Sequence, residues 1–388
     1  MKSLFSPFLL LTLVTGTLSV WNLAAEEWHT FKTAVGTNTN LELIADELGF
    51  FAAKKIKMED VGVLPEGTSS TAALASGVID EQSGGHADSV VVARAAGARV
   101  IIIGMSADAT KDYPHMEYYV RADSPIHSAK DLIGKKIASI TGRGENVTLS
   151  SCLGFGTAEY FGLSGIDIRK ANVEGVTIPT SQMLQAIKMG LVDIGVFHPP
   201  MSGIVSRMPE YRKLYDDYIT LNHFYGKGAT RLLTASERWL KRDPEGAKAF
   251  MAAMVLAADW SLAHEEESKW IFNKRLKYGL TKPEDVRNLN VFRWMKHQGI
   301  NEKEDIQVFI DLTLKYGVIK PPAPSPSQYY TTAFNPYTTL LAEKKITEAD
   351  ILKEAEAIAN KNYPAYINKK TLLKNPDADN PKKAKSKA

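Results

Sequence analysis

Residues Thr180 to Pro200, T-S-Q-M-L-Q-A-I-K-M-G-L-V-D-I-G-V-F-H-P-P, read as a short helix, a glycine break, an apolar strand and a loop. Thr180 and Ser181 offer side-chain oxygens to the first free N–H groups of the helix. Met183, Leu184 and Ile187 recur at helical spacing as one apolar face, and Gly190 ends it. Leu191 to Phe197 then fits a buried parallel strand. Its loop at His198 lies where open α/β sheets hold ligands, beyond the carboxyl ends of their strands. The same device occurs earlier, from Thr68 to Asp80, as T-S-S-T-A-A-L-A-S-G-V-I-D, one residue shorter than Thr180 to Asp193. Two similar α/β lobes aiming helix starts and strand ends at a shared cleft explain the repeat; capped helices before strands are also frequent in any α/β protein. The equivalence of Asp80 and Asp193 favours a structural role at strand starts over a catalytic pair.

Working outward, Phe31 to Val35 is a short strand, and Gly36 to Asn40 a polar loop into a helix from Leu41 to Lys55. Leu41, Ile44, Ala45, Leu48 and Phe51 form its buried stripe, and free N–H groups at its start attract an anion or a polar ligand. Ile56 to Val63 is a second strand. Ser83-Gly84-Gly85-His86 leads into an apolar helix, Ser89 to Ala96, ahead of an Ile/Val strand from Val100 to Gly104. His86 there either faces the cleft or serves as a capping and packing residue. Strands alternating with helices of about ten residues imply parallel sheets.

Glu117 to Arg121 and Ile137 to Ile140 are further strands, with a short helix from Ser128 to Leu132 between them. The loop Thr141-Gly142-Arg143-Gly144-Glu145-Asn146 precedes a helix from Val147 to Tyr160. Gly142 and Gly144 let the backbone approach a ligand, and Arg143 either pairs with an anion or is simply solvated. Tyr215 to Phe224 reads as extended, and Tyr225 to Gly228 as a crossover between lobes. Ala229 to Ala235 is a strand, followed by a helical region from Ser236 past His264 that breaks at Asp243-Pro244. Helices follow at Lys282 to Lys296, Lys303 to Tyr316 and Glu348 to Asn360. Pro321 to Pro326 is a stiff linker, and a disordered tail is expected from Asn375.

The chain of 388 residues has room for two domains, and its 44% hydrophobic content suits a globular α/β protein. A net charge of +3, partly from the lysines of the last residues, gives no reason to expect nucleic acid or an anionic membrane surface. Met1-Lys2, the apolar run Leu4 to Val20 and the small residues before Glu26 have the pattern of a secretory signal. Leu23 at position −3 leaves an uncleaved anchor open. Cys152 is the single cysteine, so no intrachain disulfide forms and no thiolate metal site is built from cysteine alone. A secreted chain with one cysteine fits a bacterial periplasm; Cys152 itself reads as a small core residue of a helix.

H-E-x-x-H, G-x-S-x-G, S-x-x-K with its partner motifs, C-x-x-C, a Walker loop and G-x-G-x-x-G are all missing. The eight histidines are scattered, none at metal-ligand spacing. The expectation is therefore a protein that is not an enzyme, with no catalytic residues, metal ligands or cofactor.

Asp123-Ser-Pro-Ile-His-Ser-Ala-Lys-Asp-Leu-Ile-Gly-Lys-Lys-Ile-Ala138 resembles the s-x-I-x-s-x-x-D-L-x-G-K-x-I-a signature of periplasmic solute-binding proteins. It is most similar to the group serving ABC importers of aliphatic sulfonates, taurine, nitrate and thiamine-pyrimidine precursors. The G-x-x-D after each repeated helix resembles that group too, and the resemblance covers Phe31 to Trp260. It implies a two-lobe α/β binding protein of type II, each lobe a mostly parallel sheet flanked by helices, closing like a hinge. The implied division is a signal at 1–25, lobe I at 26–112 with 230–320, lobe II at 113–229, and a C-terminal extension at 321–388. Carried over onto this chain, ligand contacts fall on Asn38, Thr39, Asn40, Thr68, Ser69, His86, Gly142, Arg143, Asn146, Phe197 and His198. Phe197-His198-Pro199-Pro200 departs from the family, with His198 in place of the usual residue type, which leaves the ligand class open. The implied role is capture of a small polar organic solute, anionic in view of the helix starts, by a periplasmic monomer that delivers it to an inner-membrane ABC permease. A ligand-sensing receptor domain on an uncleaved anchor is an alternative. A thiamine-pyrimidine synthase-like enzyme is disfavoured by the lone cysteine and the signal.

Overall fold

The structure, a computed structural model, describes residues 28–35, 39–62, 64, 70–139, 144–145, 149, 151–322 and 324–362. Twelve strands among these residues form three sheets. β1 (His29–Thr33) and β2 (Ile56–Asp60) pair in parallel. β3 (Glu81–Ser83), β4 (Val100–Asp108), β11 (Thr230–Ser236) and β12 (Arg293–Trp294) form a four-stranded sheet in the order β12-β4-β11-β3. The third sheet runs β10-β5-β9-β6-β8-β7. Its strands are β5 (Glu117–Arg121), β6 (Lys136–Ser139), β7 (Gly144–Glu145), β8 (Glu174–Thr177), β9 (Ile194–Phe197) and β10 (Tyr211–Asp216).

The sheets are mixed rather than mostly parallel. β6 is parallel to β8 and β9, but β5 is antiparallel to both β9 and β10, and every pair of the four-stranded sheet is antiparallel. The reason is the path of the chain. It leaves the first lobe along β4 and returns along β11, so these neighbours must run in opposite senses; β5 and β10 stand in the same relation in the second lobe. The two connections touch where Ala109 N donates to Ala229 O at 2.9 Å. Gly228 makes that approach possible, since a Cβ there would lie 2.4 Å from Ala109 O.

The internal repeat is a structural one. The helices Ser70–Ser76 and Thr180–Lys188 are each followed by a glycine with positive φ, +78° at Gly77 and +69° at Gly190, a geometry that costs glycine no Cβ clash. Asp80 N then donates to Lys32 O at 2.8 Å while its carboxylate accepts from Lys32 N at 3.1 Å. Asp193 holds Lys136 in the same way, at 3.0 and 2.9 Å. Each aspartate thus clamps the start of its strand to the backbone of a strand far earlier in the chain, β1 in one lobe and β6 in the other.

Several local expectations are corrected. Pro179, without a side-chain cap, stands at the start of the 180–188 helix, and Thr180 is its first turn. The helix from Leu41 stops at Glu47 and resumes at Phe50–Ala53, because Gly49 adopts φ +78°. Tyr215 to Phe224 is mostly helical: Asp216 closes β10 and caps Asp217–Tyr225 by accepting from Ile219 N at 3.0 Å. Lys282 to Lys296 holds only the short helix Pro283–Arg287 before β12. The helix expected from Val147 begins at Cys152 and ends at Leu163.

The largest core surrounds the helix Pro244–Ala263, A-F-M-A-A-M-V-L-A-A-D-W in its middle, which is apolar on nearly all sides and accordingly buried all round. Phe31, Phe51 and Trp239 interlock with Phe250 of this helix, with ring centroids 4.8–6.2 Å apart. On its other flank sits the C-terminal extension, whose helices Pro336–Ala342 and Glu348–Asn362 bury Tyr337, Ile351, Ala355 and Ala359. Tyr329 O accepts from Ile102 N at 2.9 Å, so the segment leading to those helices is hydrogen-bonded to β4. Among the described residues no helix is long and apolar enough to cross a membrane.

Candidate functional site

Where the lobes meet, three histidines line up. His86 sits between β3 and the helix Ala87–Ala95, in the N-cap position. His115 lies on the outgoing connection just before β5, and His198 follows β9. The ring of His86 meets His115 edge to face at 4.5 Å, and His115 meets His198 at 4.7 Å. Phe309 stacks on His86 at 5.5 Å, and Phe292 lies 6.1 Å from His115. His86 Nδ1 is 2.6 Å from Thr230 O, a carbonyl that only accepts, so His86 donates there. His115 Nδ1 is 2.9 Å from Asp217 Oδ2, and the other oxygen of Asp217 accepts from Met116 N at 3.0 Å.

Arg231, the second residue of β11, carries the charge of the site. It is 6% exposed. Its guanidinium lies 3.8 Å over the ring of Phe292, and Nη2 donates to Asn40 Oδ1 at 3.4 Å. Nη1 is buried and has no hydrogen-bond partner among the described residues. Gly84 (φ +126°) clears the space, since a Cβ there would come within 2.7 Å of Nη2.

Burial and mutual proximity keep the imidazoles neutral. His86 is lowered to about 3, first by burial and then by His115. Burial, followed by Arg231, holds His115 well below its usual range; burial, His115 and Arg231 do the same to His198. Burial lowers Arg231 to about 10, so it stays a cation at neutral pH. Beneath it, burial raises Glu42 to about 7, partly offset by Arg231, and raises Glu81 well above the carboxylate range with Glu42 adding to the effect. The cleft therefore presents neutral rings and one cation with a free donor, an arrangement suited to an anion with an apolar body.

The sequence expectations divide on this geometry. His86 and His198 are brought together, and Asn40 reaches the site through Arg231. Thr39 is fully buried beside Asn40, its hydroxyl without a hydrogen-bond partner among the described residues. Phe197 packs into the second lobe's core with Tyr119 and Met183, so its ring belongs to that core. Asn38, Thr68, Ser69, Gly142, Arg143 and Asn146 lie outside the described residues. Sequence reading missed His115, Asp217, Arg231, Phe292 and Phe309. One signal was there to be read: an arginine inside A-T-R-L-L-T-A, an otherwise apolar strand. Cys152 packs against the second lobe's core, as expected of a small helical residue, and has polar neighbours besides. It opens the helix Cys152–Leu163, is half-buried, and has its sulfur within 4.8 Å of ring nitrogens of His86 and His115.

The lobes also touch beyond the histidines. Asn290 Nδ2 donates to Ser202 Oγ at 3.2 Å, and Arg207 Nη2 donates to Asn288 O at 2.7 Å. Gly203, in the helix Met201–Val205, lies so close to Asn290 that a Cβ would be 2.7 Å from its backbone nitrogen.

Two α/β lobes joined by antiparallel connections, with a polar cleft between them, make up the periplasmic binding protein fold. The model of the NMT1/THI5-like family matches residues 37–268, and the chain belongs to that family. No curated protein matches the sequence significantly. Solved structures share the fold at low identity. The alkanesulfonate-binding protein SsuA from Xanthomonas axonopodis pv. citri, bound to MOPS, is 17% identical with a TM-score of 0.61, covering 79% of this chain and 99% of that one. The periplasmic nitrate-binding protein NrtA from Synechocystis is 15% identical with a TM-score of 0.59, covering 85% and 89%. The desulfurization enzyme DSZB is 17% identical with a TM-score of 0.58, covering 81% and 99%. Binding proteins and an enzyme thus stand side by side among the structural neighbours.

Proposed function

We propose that this protein is the substrate-binding component of an ABC importer, capturing a small anionic organic solute between lobes that follow the division expected from sequence. The observation that carries the reading is Arg231: a buried cation with an unpartnered Nη1, set among neutral imidazoles and against the ring of Phe292. A buried charge left this way is costly unless something pairs with it, and a sulfonate, carboxylate or nitrate entering the cleft does so. The contacts of Asn290 and Arg207 across the lobes support a closed arrangement of the kind this reading expects. Location in the periplasm, delivery to a permease and a monomeric state belong to the same proposal.

A thermal-shift screen of the protein from Glu26 onward, with alkyl sulfonates, taurine, nitrate, aromatic carboxylates and pyrimidines, tests it. A ligand at 100 times its Kd adds about 2.7 kcal/mol and raises Tm by a few degrees. A shift that disappears in Arg231→Gln supports the reading; no shift from any anion sinks it.

A thiol-based hydrolase is the second reading, because Cys152 stands beside two imidazoles. Burial, with Asp88 and Asp217 adding to it, pushes the Cys152 thiol up to about 12, which leaves little thiolate to act as a nucleophile. Sulfite release from an aryl sulfinate, lost in Cys152→Ser, would be needed to prefer it.

A further inference from the structure

We propose that His86, His115 and Cys152 form a binding site for a thiophilic d10 cation, zinc(II) or copper(I). The three donor atoms come from separate parts of the chain, yet all lie within 4.8 Å of one another. Tetrahedral coordination with bonds of ~2.0–2.3 Å places donors roughly 3.4–3.8 Å apart. Loading therefore requires the donors to draw in by about 1.4 Å at most, a movement within side-chain reach.

The imidazoles are already set for coordination. His86 donates through Nδ1 to the Thr230 carbonyl, and its Nε2 is left as a lone pair, buried and without a hydrogen-bond partner among the described residues. His86 is only 3% exposed, so this nitrogen has no recourse to bulk water. His115 turns Nδ1 to the Asp217 carboxylate, which puts its lone pair on Nε2 as well. A carbonyl or carboxylate behind the non-ligating nitrogen is the usual support of a metal-bound histidine, fixing both tautomer and ring plane. Asp217 is itself fixed by Met116 N. Cys152 adds sulfur from the first residue of a helix, and the bound cation itself displaces the thiol proton that burial otherwise retains. Two imidazoles and one sulfur select zinc(II) or copper(I) over hard cations, which prefer oxygen. Binding releases the thiol proton to solvent and leaves at least one coordination position open.

Metal binding can be measured with no organic solute present, so this inference and the solute reading fail separately. The protein from Glu26 onward is titrated with zinc(II) and, under reducing anaerobic conditions, with copper(I), each against a chromophoric chelator. One equivalent of either ion is expected, and it should be lost in Cys152→Ser and in His86→Gln. Asp217→Asn, a positioning change, should weaken affinity by roughly 10–100-fold without abolishing binding. Cobalt(II) should show a near-ultraviolet sulfur-to-metal band that disappears in Cys152→Ser. Because Cys152 is the only thiol, its alkylation by iodoacetamide in the unmutated protein gives an assay independent of whether the variants fold; bound zinc(II) or copper(I) should slow it. No binding by either ion overturns the proposal, and so does binding that neither protects Cys152 nor responds to the Cys152 and His86 substitutions.

Discussion

Arg231 shows how one residue can set the chemistry of a cleft. Its charge persists at neutral pH and its solvent is gone, so in the proposed reading its remaining donor serves a ligand. Charge-assisted hydrogen bonds contribute about 1.5–3 kcal/mol, so Arg231→Gln is expected to weaken anion binding roughly 10–100-fold, as read by calorimetry. His198 is half-buried at the end of the same row, and His198→Ala should lower affinity while leaving Tm almost unchanged. Glu42 makes a prediction about pH. Its folded-state value, raised from 4.5 to about 7 by burial, means that the folded protein keeps a proton that the unfolded chain releases. Its contribution is therefore most favourable below pH 4.5 and is lost as pH rises toward 7. Glu42→Gln removes this loss, so its Tm relative to the unmutated protein should climb between pH 4.5 and 7 and then level off. His86 acts in the opposite sense: its pKa is depressed to about 3, so its contribution is present above about pH 6.5 and is lost as pH falls toward 3.

At the scale of elements, periodicity and punctuation located much of the fold. The repeated helix-glycine-aspartate unit was visible because Gly190 and Gly77 must adopt positive φ and Asp193 and Asp80 must satisfy backbone donors at fixed offsets. The errors have physical causes. Tyr215 to Phe224 looks extended from its aromatic and β-branched content, yet the Asp216 cap starts a helix there. The lobes looked parallel because each strand-helix-strand unit read alone is parallel, whereas the crossovers that reverse the chain are set by tertiary path. The site was half legible: His86 and His198 sit at strand ends, but His115, Asp217 and Cys152 become neighbours only through folding. Gly203 makes the test at this scale. A Cβ there meets Asn290, so Gly203→Val should hold the lobes apart, weaken ligand binding and leave the secondary structure seen by circular dichroism intact.

At the scale of the whole molecule, the extension after Pro321 is part of the first lobe's core. Burying a large apolar side chain contributes about 1.5–3 kcal/mol, so Tyr337 and Ile351 together account for roughly 3–6 kcal/mol. A chain ending at Lys320 should melt at a markedly lower temperature and bind a hydrophobic dye through the bared face of the Pro244–Ala263 helix. An unchanged melting curve would show the extension to be dispensable.

The seating of that extension has a mechanical consequence. The Glu348–Asn362 helix is fastened at both ends to the first lobe, through Lys296 to Glu348 and through Asn362 Nδ2 to Leu48 O at 3.3 Å. Among the described residues it packs on that half's core, which makes that half the anvil and the β5–β10 half the hammer of the proposed closure. If the lobes close on a solute as proposed, a fluorophore on this helix, paired with one on the exposed Met189 side of the other half, would register each closure as a change in energy transfer.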